Sequence, residues 1–250
     1  MTSPGAAEPF WLTVFLDYPA AEFDAGVGFW RAGTGYALST ARGDGGEFAT
    51  LVPSAGSDYL RVQRIGDGPT RLHLDVHVTD LWSTAAAAEA AGAELVEAST
   101  GGHLVLRTPA GFTFCLVMQE AAVVPPAATW PSGHHSRVNQ LCLDVPRQRY
   151  TREVEFFRGL LGGRWSEVDA PETALRPADG YPIDVRLQPA ELSKSVTSHL
   201  HVVTDDVDAE VARLAALGAR PRAARPGKTI LEAPGGTALC VVAIGRGEQG

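Results

Sequence analysis

The stretch that decides the fold is His73-Leu-Asp-Val-His-Val-Thr-Asp-Leu81, because it returns 126 residues later as His199-Leu-His-Val-Val-Thr-Asp-Asp-Val207. Each copy alternates polar and apolar residues and then reaches an aspartate, which is typical of a short strand that leads into a helix. In the first copy His73, Asp75 and His77 share one face of the strand, and the apolar residues between them share the other. We expect the apolar face to pack against a helix and the histidine face to line a wetter space.

Further repeats show that the whole chain is duplicated. The segment Gln140-Leu-Cys-Leu-Asp-Val-Pro146 repeats Thr13-Val-Phe-Leu-Asp-Tyr-Pro19 at an offset of 127. Near the end, Leu231-Glu-Ala-Pro-Gly-Gly-Thr-Ala-Leu-Cys240 repeats Leu106-Arg-Thr-Pro-Ala-Gly-Phe-Thr-Phe-Cys115 at an offset of 125. Offsets that drift by single residues indicate an ancestral half that was copied and then changed slightly in its loops.

Local signals divide each half into two β-α-β-β-β modules. The first module has a predicted strand over 10–17 and a helix over 22–34, followed by three short strands. In the second module Asp80 is placed to cap a helix over 81–91, and the third module has a helix over 150–161.

The modules predict two domains and a linker. The pair His134-His135 ends the linker, which is rich in alanine and proline, and we interpret it as solvated rather than metal-binding. The predicted bounds are 8–120 for the first domain (modules 8–68 and 70–120), 121–135 for the linker and 136–246 for the second domain (modules 136–192 and 196–246).

Composition excludes several classes of partner. The net charge is −8 and no basic run is present, so the sequence predicts no nucleic-acid partner. No apolar stretch approaches the roughly 20 residues that a membrane-spanning helix needs, and residues 1–9 do not resemble a signal peptide. Three cysteines, an odd number, favour reduced thiols. We therefore expect a soluble cytoplasmic protein, either a monomer or a homodimer.

The order of these motifs resembles the vicinal-oxygen-chelate superfamily, which includes glyoxalases, extradiol dioxygenases and bleomycin-resistance proteins. More narrowly, the chain resembles the tandem glyoxalase-like proteins of high-GC bacteria. The matching features are the helix pairs Phe29-Trp30 and Phe156-Phe157, the strand Leu60-Arg-Val-Gln63 ahead of His73, and the Pro-x-Gly turn that precedes Cys115. The resemblance implies an α+β fold: four βαβββ modules form two domains, and each domain is a curved mixed sheet that encloses a cleft.

The resemblance also implies where a divalent ion would bind. Metal-dependent members of the superfamily use His and Glu ligands from the first and last strands of paired modules, but here only one histidine stands in each set and no carboxylate fills a last-strand position. We therefore predict no bound metal and no other cofactor, with a divalent ion as the alternative. The corresponding positions are Thr13 (or Trp11, if the register slips by two), Gln63, His73 and Cys115 in the first half, and Gln140, Gln188, His199 and Cys240 in the second.

His73 is the strongest candidate for chemistry. A neutral imidazole that faces a ligand can act as a general base, and Asp75 on the same face could orient it through a bridging group. The structural alternative is a histidine that is satisfied by a hydrogen bond at the cleft wall. The cysteines have a structural alternative as well, because free cysteine commonly packs as a small hydrophobe.

The remaining candidates would contact a ligand. Arginines on a cleft wall would favour a carboxylate, phosphate or enolate, or else would snorkel at the sheet edge. We predict His73 and Asp75 as the catalytic pair. The predicted ligand-binding residues are Trp11, Thr13, Phe15, Arg61, Gln63, Cys115, Gln140, Arg186, Gln188, His199, His201 and Cys240.

The resemblance and the predicted site residues lead to two candidate functions. The first is a metal-free small-molecule binding protein of the bleomycin-resistance type, whose ligand would be a small organic molecule, anionic or aromatic. The second is an enzyme, namely a glyoxalase-like lyase, an isomerase or a dioxygenase, that depends on a metal or uses His73 as an acid-base catalyst. The scaffold by itself does not choose between them.

Overall fold

The predicted four-module architecture is confirmed. The computed structural model describes residues 9–99, 101–162, 164–169, 172–176, 180–225 and 227–244. The first half contains β1 (Trp11–Pro19), α1 (Ala20–Thr34), β2 (Ala37–Leu38), β3 (Phe48–Val52), β4 (Leu60–Ile65), β5 (Arg71–His77), α2 (Leu81–Ala90), β6 (Glu94–Ala98), β7 (Leu104–Arg107) and β8 (Thr113–Val117). The second half contains β9 (Ala128–Thr129), β10 (His135–Pro146), α3 (Arg147–Leu161), β11 (Arg164–Asp169), β12 (Glu172–Arg176), β13 (Asp184–Ala190), β14 (Thr197–Thr204), α4 (Val207–Ala216), β15 (Arg220–Arg225), β16 (Lys228–Glu232) and β17 (Ala238–Ala243).

The two halves build sheets of the same topology. The first sheet has the strand order β2-β3-β4-β1-β5-β8-β7-β6, and the second has the order β11-β12-β13-β10-β14-β17-β16-β15, with β9 paired to β10. Strands β5 and β8 are parallel, as are β14 and β17, while the outer hairpins are antiparallel. The fold is therefore α+β with mixed sheets.

The repeated aspartates start two of the helices, as the sequence predicts. Asp80 Oδ1 accepts a hydrogen bond from the backbone N–H of Ser83 at 3.0 Å, and Asp206 Oδ1 accepts one from that of Ala209 at 3.0 Å. Each bond satisfies a first-turn N–H that has no partner within the helix. Helix α1 ends at Gly35, whose φ of 73° is the left-handed conformation that glycine adopts without strain.

Contacts group the chain into two compact units. Unit 1 comprises Met1–Phe15, Leu72–Val124 and Cys142–Ser198, and unit 2 comprises Leu16–Arg71, Pro125–Leu141 and His199–Gly250. Each unit therefore draws on both halves of the sequence. The domain and linker boundaries given above describe the repeats and stay predictions.

In unit 1 a buried glutamate on α3 holds a turn. Glu153 Oε2 accepts a hydrogen bond from the backbone N–H of Ala110 at 2.8 Å, within the Thr108-Pro-Ala-Gly111 turn. The Phe114 and Phe156 rings lie 5.7 Å apart and pack the same helix against β8. Burial raises the pKa of the Glu153 carboxyl above its usual value, because the charged form loses its hydration.

The raised pKa of Glu153 gives the stability of the protein a pH dependence. A raised carboxyl pKa favours the folded state at low pH, and this contribution is lost as the pH rises from the ordinary glutamate value through the folded one. Glu153→Gln keeps an acceptor for the Ala110 N–H and removes the charge. We expect the variant to melt higher than the parent at pH 7 and equally near pH 4.

Calorimetric melting across this pH range measures the effect, and Glu155→Gln on the exposed side of α3 is the control. The predicted direction would be wrong if the parent gained stability relative to Glu153→Gln between pH 4 and pH 7.

In unit 2 an aromatic ring packs against the equivalent turn, Ala233-Pro-Gly-Gly236. Gly26 occupies in α1 the repeat position that Glu153 occupies in α3. Its lack of a side chain admits the ring of Tyr18, whose Cζ lies 2.4 Å from where a Cβ at residue 26 would stand. The Tyr18 hydroxyl receives a hydrogen bond from Trp30 Nε1 at 2.8 Å and shares another with Thr237 Oγ1 at 2.6 Å. In unit 2 the Tyr18 ring, packed on Gly26, therefore takes the place that the Glu153 carboxylate has in unit 1.

Among the described residues, no helix combines the length and apolar character needed to cross a membrane. Residues 1–8, to which the prediction of no signal peptide applies, lie outside the described part of the chain, as do residues 245–250, which include the last two residues of the fourth predicted module.

Candidate ligand-binding site

Strand β5 presents a polar face and an apolar face, as its sequence predicts. His73 and Asp75 retain 7% and 4% of their surface, whereas Leu74 and Val76 on the opposite face retain 0%. Leu72 on the opposite face retains 4% and His77 on the histidine face retains 1%, so the highest residual exposure on this strand among these residues is that of His73. The expected contrast between a wet and a dry face is present but small, because both faces are covered.

An aromatic ring from β1 lies on the imidazole of His73. The rings of Phe15 and His73 stack with centroids 4.6 Å apart and an interplanar angle of 9°. Phe15 retains 8% of its surface, so the stack is not completely enclosed. Trp11 and Thr13 precede Phe15 on the same face of β1 and are fully buried. Unit 1 therefore brings together five of the predicted site residues from two strands: Trp11, Thr13 and Phe15 on β1, and His73 and Asp75 on β5.

His77 has a structural role. Its Nδ1 lies 2.9 Å from the backbone oxygen of Gln119, which can only accept, so Nδ1 carries the proton. Its Nε2 then accepts the hydroxyl proton of Thr13 at 2.9 Å. Both ring nitrogens are thereby used, and the hydroxyl of Thr13 is directed at His77.

His73, Asp75 and Cys115 form a group of three different donor types. Their nitrogen, oxygen and sulfur atoms all lie within 4.8 Å of one another, and Asp75 pairs with Cys115 in the parallel register of β5 and β8. His73 Nε2 and Asp75 Oδ1 are 3.6 Å apart, longer than a hydrogen bond, as expected for residues two apart on a strand. The spacing fits a divalent ion such as Zn²⁺, which accepts N, O and S ligands. Asp75 does not stand at one of the positions that correspond to the superfamily's metal ligands, yet it contributes the third donor.

A second polar group lies in unit 2. His201 Nδ1 is 2.8 Å from Gln140 Oε1, and its Nε2 is 3.3 Å from His199 Nε2. This separation suits either an N–H···N hydrogen bond or two ligands of one ion, since nitrogens on a tetrahedral Zn²⁺ lie about 3.3–3.4 Å apart for Zn–N lengths near 2.0–2.1 Å. Cys240 pairs with His201 in the β14–β17 register and is buried.

The predicted arginines and glutamines are divided between the units. Arg61 in unit 2 donates from Nε to Asp58 Oδ2 at 2.8 Å and is partly buried. In unit 1 the amide of Gln188 donates to Asp144, whose other oxygen accepts from Thr197 at 3.3 Å. Gln63 and Arg186 are partly buried as well. The ion pair with Asp58 favours a structural role for Arg61.

The prediction that the pair His134-His135 is solvated is wrong for His134. His134 is buried, and its Nε2 lies 2.8 Å from Glu210 Oε2 on α4. The adjacent His135 is exposed and pairs with Asp205 at 2.9 Å. A strand reaching through His135 would have given the signal, because alternation places neighbouring residues on opposite faces.

Comparison with known proteins identifies the family of the chain. The sequence matches the family described as "Glyoxalase-like domain" over residues 13–117 and 140–242, so the chain belongs to the glyoxalase-like family of the vicinal-oxygen-chelate superfamily. The match to both segments confirms the predicted tandem organisation of two glyoxalase-like domains. No curated protein matches the chain significantly.

Solved structures share the fold at low identity. The 2,2',3-trihydroxybiphenyl 1,2-dioxygenase of Sphingomonas wittichii strain RW1 is 17% identical, with a TM-score of 0.62 over 96% of this chain and 91% of that one. The Mn(II)-bound glyoxalase of Novosphingobium aromaticivorans is 17% identical, with a TM-score of 0.57 over 96% and 82%. A xylose isomerase-like TIM barrel/4-hydroxyphenylpyruvate dioxygenase fusion protein is 14% identical, with a TM-score of 0.64; this chain is covered completely and spans 51% of that protein. At these identities the likeness defines the fold alone.

Proposed function

We propose that the chain is a small-molecule binding protein whose ligand contacts the histidine face of β5, without a metal. The single observation that carries the proposal is the stack of Phe15 on His73, two side chains that keep 8% and 7% of their surface and lie beside the Asp75 carboxylate. Binding sites for small organic molecules combine apolar and aromatic walls with a few convergent polar groups. Phe15 supplies the wall, and His73 and Asp75 supply the polar groups.

The donor chemistry at the family's ligand positions supports a site without a metal. Thr13 directs its hydroxyl at His77, and Gln63 is a neutral amide, so His73 and Cys115 are the two strong donors at those positions. A ligand with a planar ring and a carboxylate or hydroxyl group suits the stacked rings of Phe15 and His73.

A second candidate is a lyase, isomerase or dioxygenase, and a specific observation favours it. His73, Asp75 and Cys115 place three donors within 4.8 Å, and these residues would hold a divalent ion in unit 1. Such an ion would supply Lewis-acid chemistry. In a metal-free enzyme His73 would take a proton from the substrate, and Asp75 would orient the imidazole through a bridging group. The chain's partner is a small molecule in both cases, and a monomer or homodimer remains our proposal.

His73→Ala tests the binding site. We expect at least one of benzoate, catechol and phenylpyruvate to raise the melting temperature of the parent, and the shift to fall to less than half in the variant, because the ring that stacks on Phe15 is gone. Differential scanning fluorimetry with and without each compound measures this. His103→Ala, which changes a partly exposed histidine of unit 1 outside β5, is the matched control.

Unchanged ligand shifts in His73→Ala would rule out this face as the binding site. Elemental analysis of protein purified without chelator separates the two candidates. Zn, Fe, Mn or Ni near one equivalent, lost in Asp75→Asn, would establish the metal-dependent candidate instead.

A further inference from the structure

A buried chain of hydrogen bonds in unit 2 ends at an exposed serine. Ser132 Oγ lies 2.5 Å from His134 Nδ1, and His134 Nε2 lies 2.8 Å from Glu210 Oε2. His134 and Glu210 are buried, whereas Ser132 is exposed at the tip of the hairpin between β9 and β10. A hydroxyl, an imidazole and a carboxylate thus stand in series, with the hydroxyl facing solvent.

The carboxylate fixes the tautomer of the imidazole. An ionised Glu210 can only accept, so the Nε2 of a neutral His134 must carry the proton that this bond uses. His134 Nδ1 is then the basic nitrogen, and Ser132 must donate its hydroxyl proton to it. The direction of both hydrogen bonds therefore matches the roles of nucleophile, base and orienting acid in hydrolases.

Other side chains hold the Glu210 carboxylate in place. Arg213 donates to Glu210 Oε2 from Nε at 2.7 Å and to Oε1 from Nη2 at 2.8 Å, and Ser136 donates to Oε1 at 2.9 Å. The guanidinium lies 3.4 Å from the centre of the Trp130 ring and also donates to the backbone oxygen of Gly33 at 2.7 Å. A buried carboxylate keeps its charge only when such a partner compensates for its lost hydration.

We propose that Ser132, His134 and Glu210 form a second reactive site, in which the Ser132 hydroxyl is acylated by small activated esters. This activity is separate from ligand binding at His73. Ser132 Oγ forms a bond to the acyl carbon while the bond from that carbon to the aryloxide breaks. His134 Nδ1 takes the hydroxyl proton and passes it to the departing aryloxide. Water, activated by the same nitrogen, then releases the carboxylic acid and restores Ser132.

Two features select activated esters as the substrate class. The charge of Arg213 is shared with Glu210, so the carboxylate stabilises a charged His134 less than an unpaired carboxylate would. Substrates whose leaving group departs without strong assistance are therefore favoured. Pro131 and Gly133 beside Ser132 are exposed too, which gives small esters free approach and little selectivity for the acyl group.

The test uses the full chain and p-nitrophenyl acetate, with acid quenching and peptide mass mapping of the acetyl group. We expect acetyl-Ser132 to form about 10²-fold faster than acetyl-Ser54, the size of a typical contribution from general-base catalysis. Ser54 is an exposed loop serine and serves as the internal reference. Ser132→Ala should lose the fast adduct, Ser54→Ala should keep it, and Ser132→Cys should acetylate at position 132 at least as fast as the parent.

The proposal is overturned if Ser132 and Ser54 acetylate at the same rate, or if acetyl groups form only on the lysines and other histidines. Because Ser132 is exposed, its variants are expected to melt within 2 °C or so of the parent, consistent with the small effect of surface substitutions. Slower acetylation at position 132 in Ser132→Cys than in the parent, with an unchanged melting temperature, would likewise overturn the role of His134 as base.

Discussion

Glu210→Ala is expected to lower the free energy of unfolding by about 3–5 kcal/mol, the usual cost of removing one partner of a buried ion pair. Glu210 is fully buried on α4 and accepts hydrogen bonds from His134, Ser136 and Arg213. Alanine at this position leaves a guanidinium and an imidazole in a protein interior with their acceptor gone. Urea unfolding followed by circular dichroism measures the loss.

A matched substitution and a double variant make this expectation specific. Asp208 lies on the exposed side of the same helix, and Asp208→Ala should cost less than about 1 kcal/mol, mostly through the helix dipole. Because Arg213→Ala removes the charge left behind, the pair Glu210→Ala with Arg213→Ala should cost less than the sum of the two single changes. Additive effects would show that the ion pair contributes nothing to stability.

Gly26→Ala is expected to destabilise the protein by about 1–3 kcal/mol, even though alanine is the better helix former. A Cβ at residue 26 would lie 2.4–2.7 Å from three atoms of the Tyr18 ring, which is closer than any packed contact. The ring has little freedom to move away, because its hydroxyl is held by Trp30 and Thr237. The clash therefore outweighs the gain in helix propensity.

Gly28 provides the opposite outcome on the same helix. Nothing lies within 4 Å of the position that a Cβ would take at residue 28, so Gly28→Ala should stabilise the protein by up to about 1 kcal/mol. Thermal unfolding of the two variants side by side measures the difference in sign. A destabilised Gly28→Ala, or a Gly26→Ala that melts above the parent, would contradict the packing seen at Tyr18. Tyr18→Phe removes the bonds that hold the ring in place, so the double variant Gly26→Ala with Tyr18→Phe should cost less than the sum of the two single changes.

The repeats and the caps could be read from the sequence because their causes are local or periodic. Copies of one segment fold alike, so repeats at offsets of 125 to 127 predicted that the second half has the same modules as the first. Asp80 and Asp206 cap helices because each bonds an N–H three residues ahead. Strand alternation likewise placed His73 and Asp75 on one face.

The candidate site was only partly readable in this way. Alternation along β5 gave His73 and Asp75, but it could not show that Phe15 stacks on the imidazole or that Cys115 approaches both. Those contacts join strands far apart in the sequence, and their geometry depends on register. The assignment of all the predicted site residues, His73 and Asp75 included, stays a prediction.

By itself, the sequence determined the four modules, the helix starts and the polar face of β5, since each depends on residues a few positions apart or on the copying of such residues; the α+β class followed from the resemblance to a known superfamily. Only the tertiary structure decided which buried charges find partners. His134 stands next to an exposed residue in the chain, yet it is buried against Glu210, more than 70 residues away, which also binds Arg213. The physical reason is that burying a charge is favourable only where another part of the fold supplies its counter-charge, and that meeting is a property of packing.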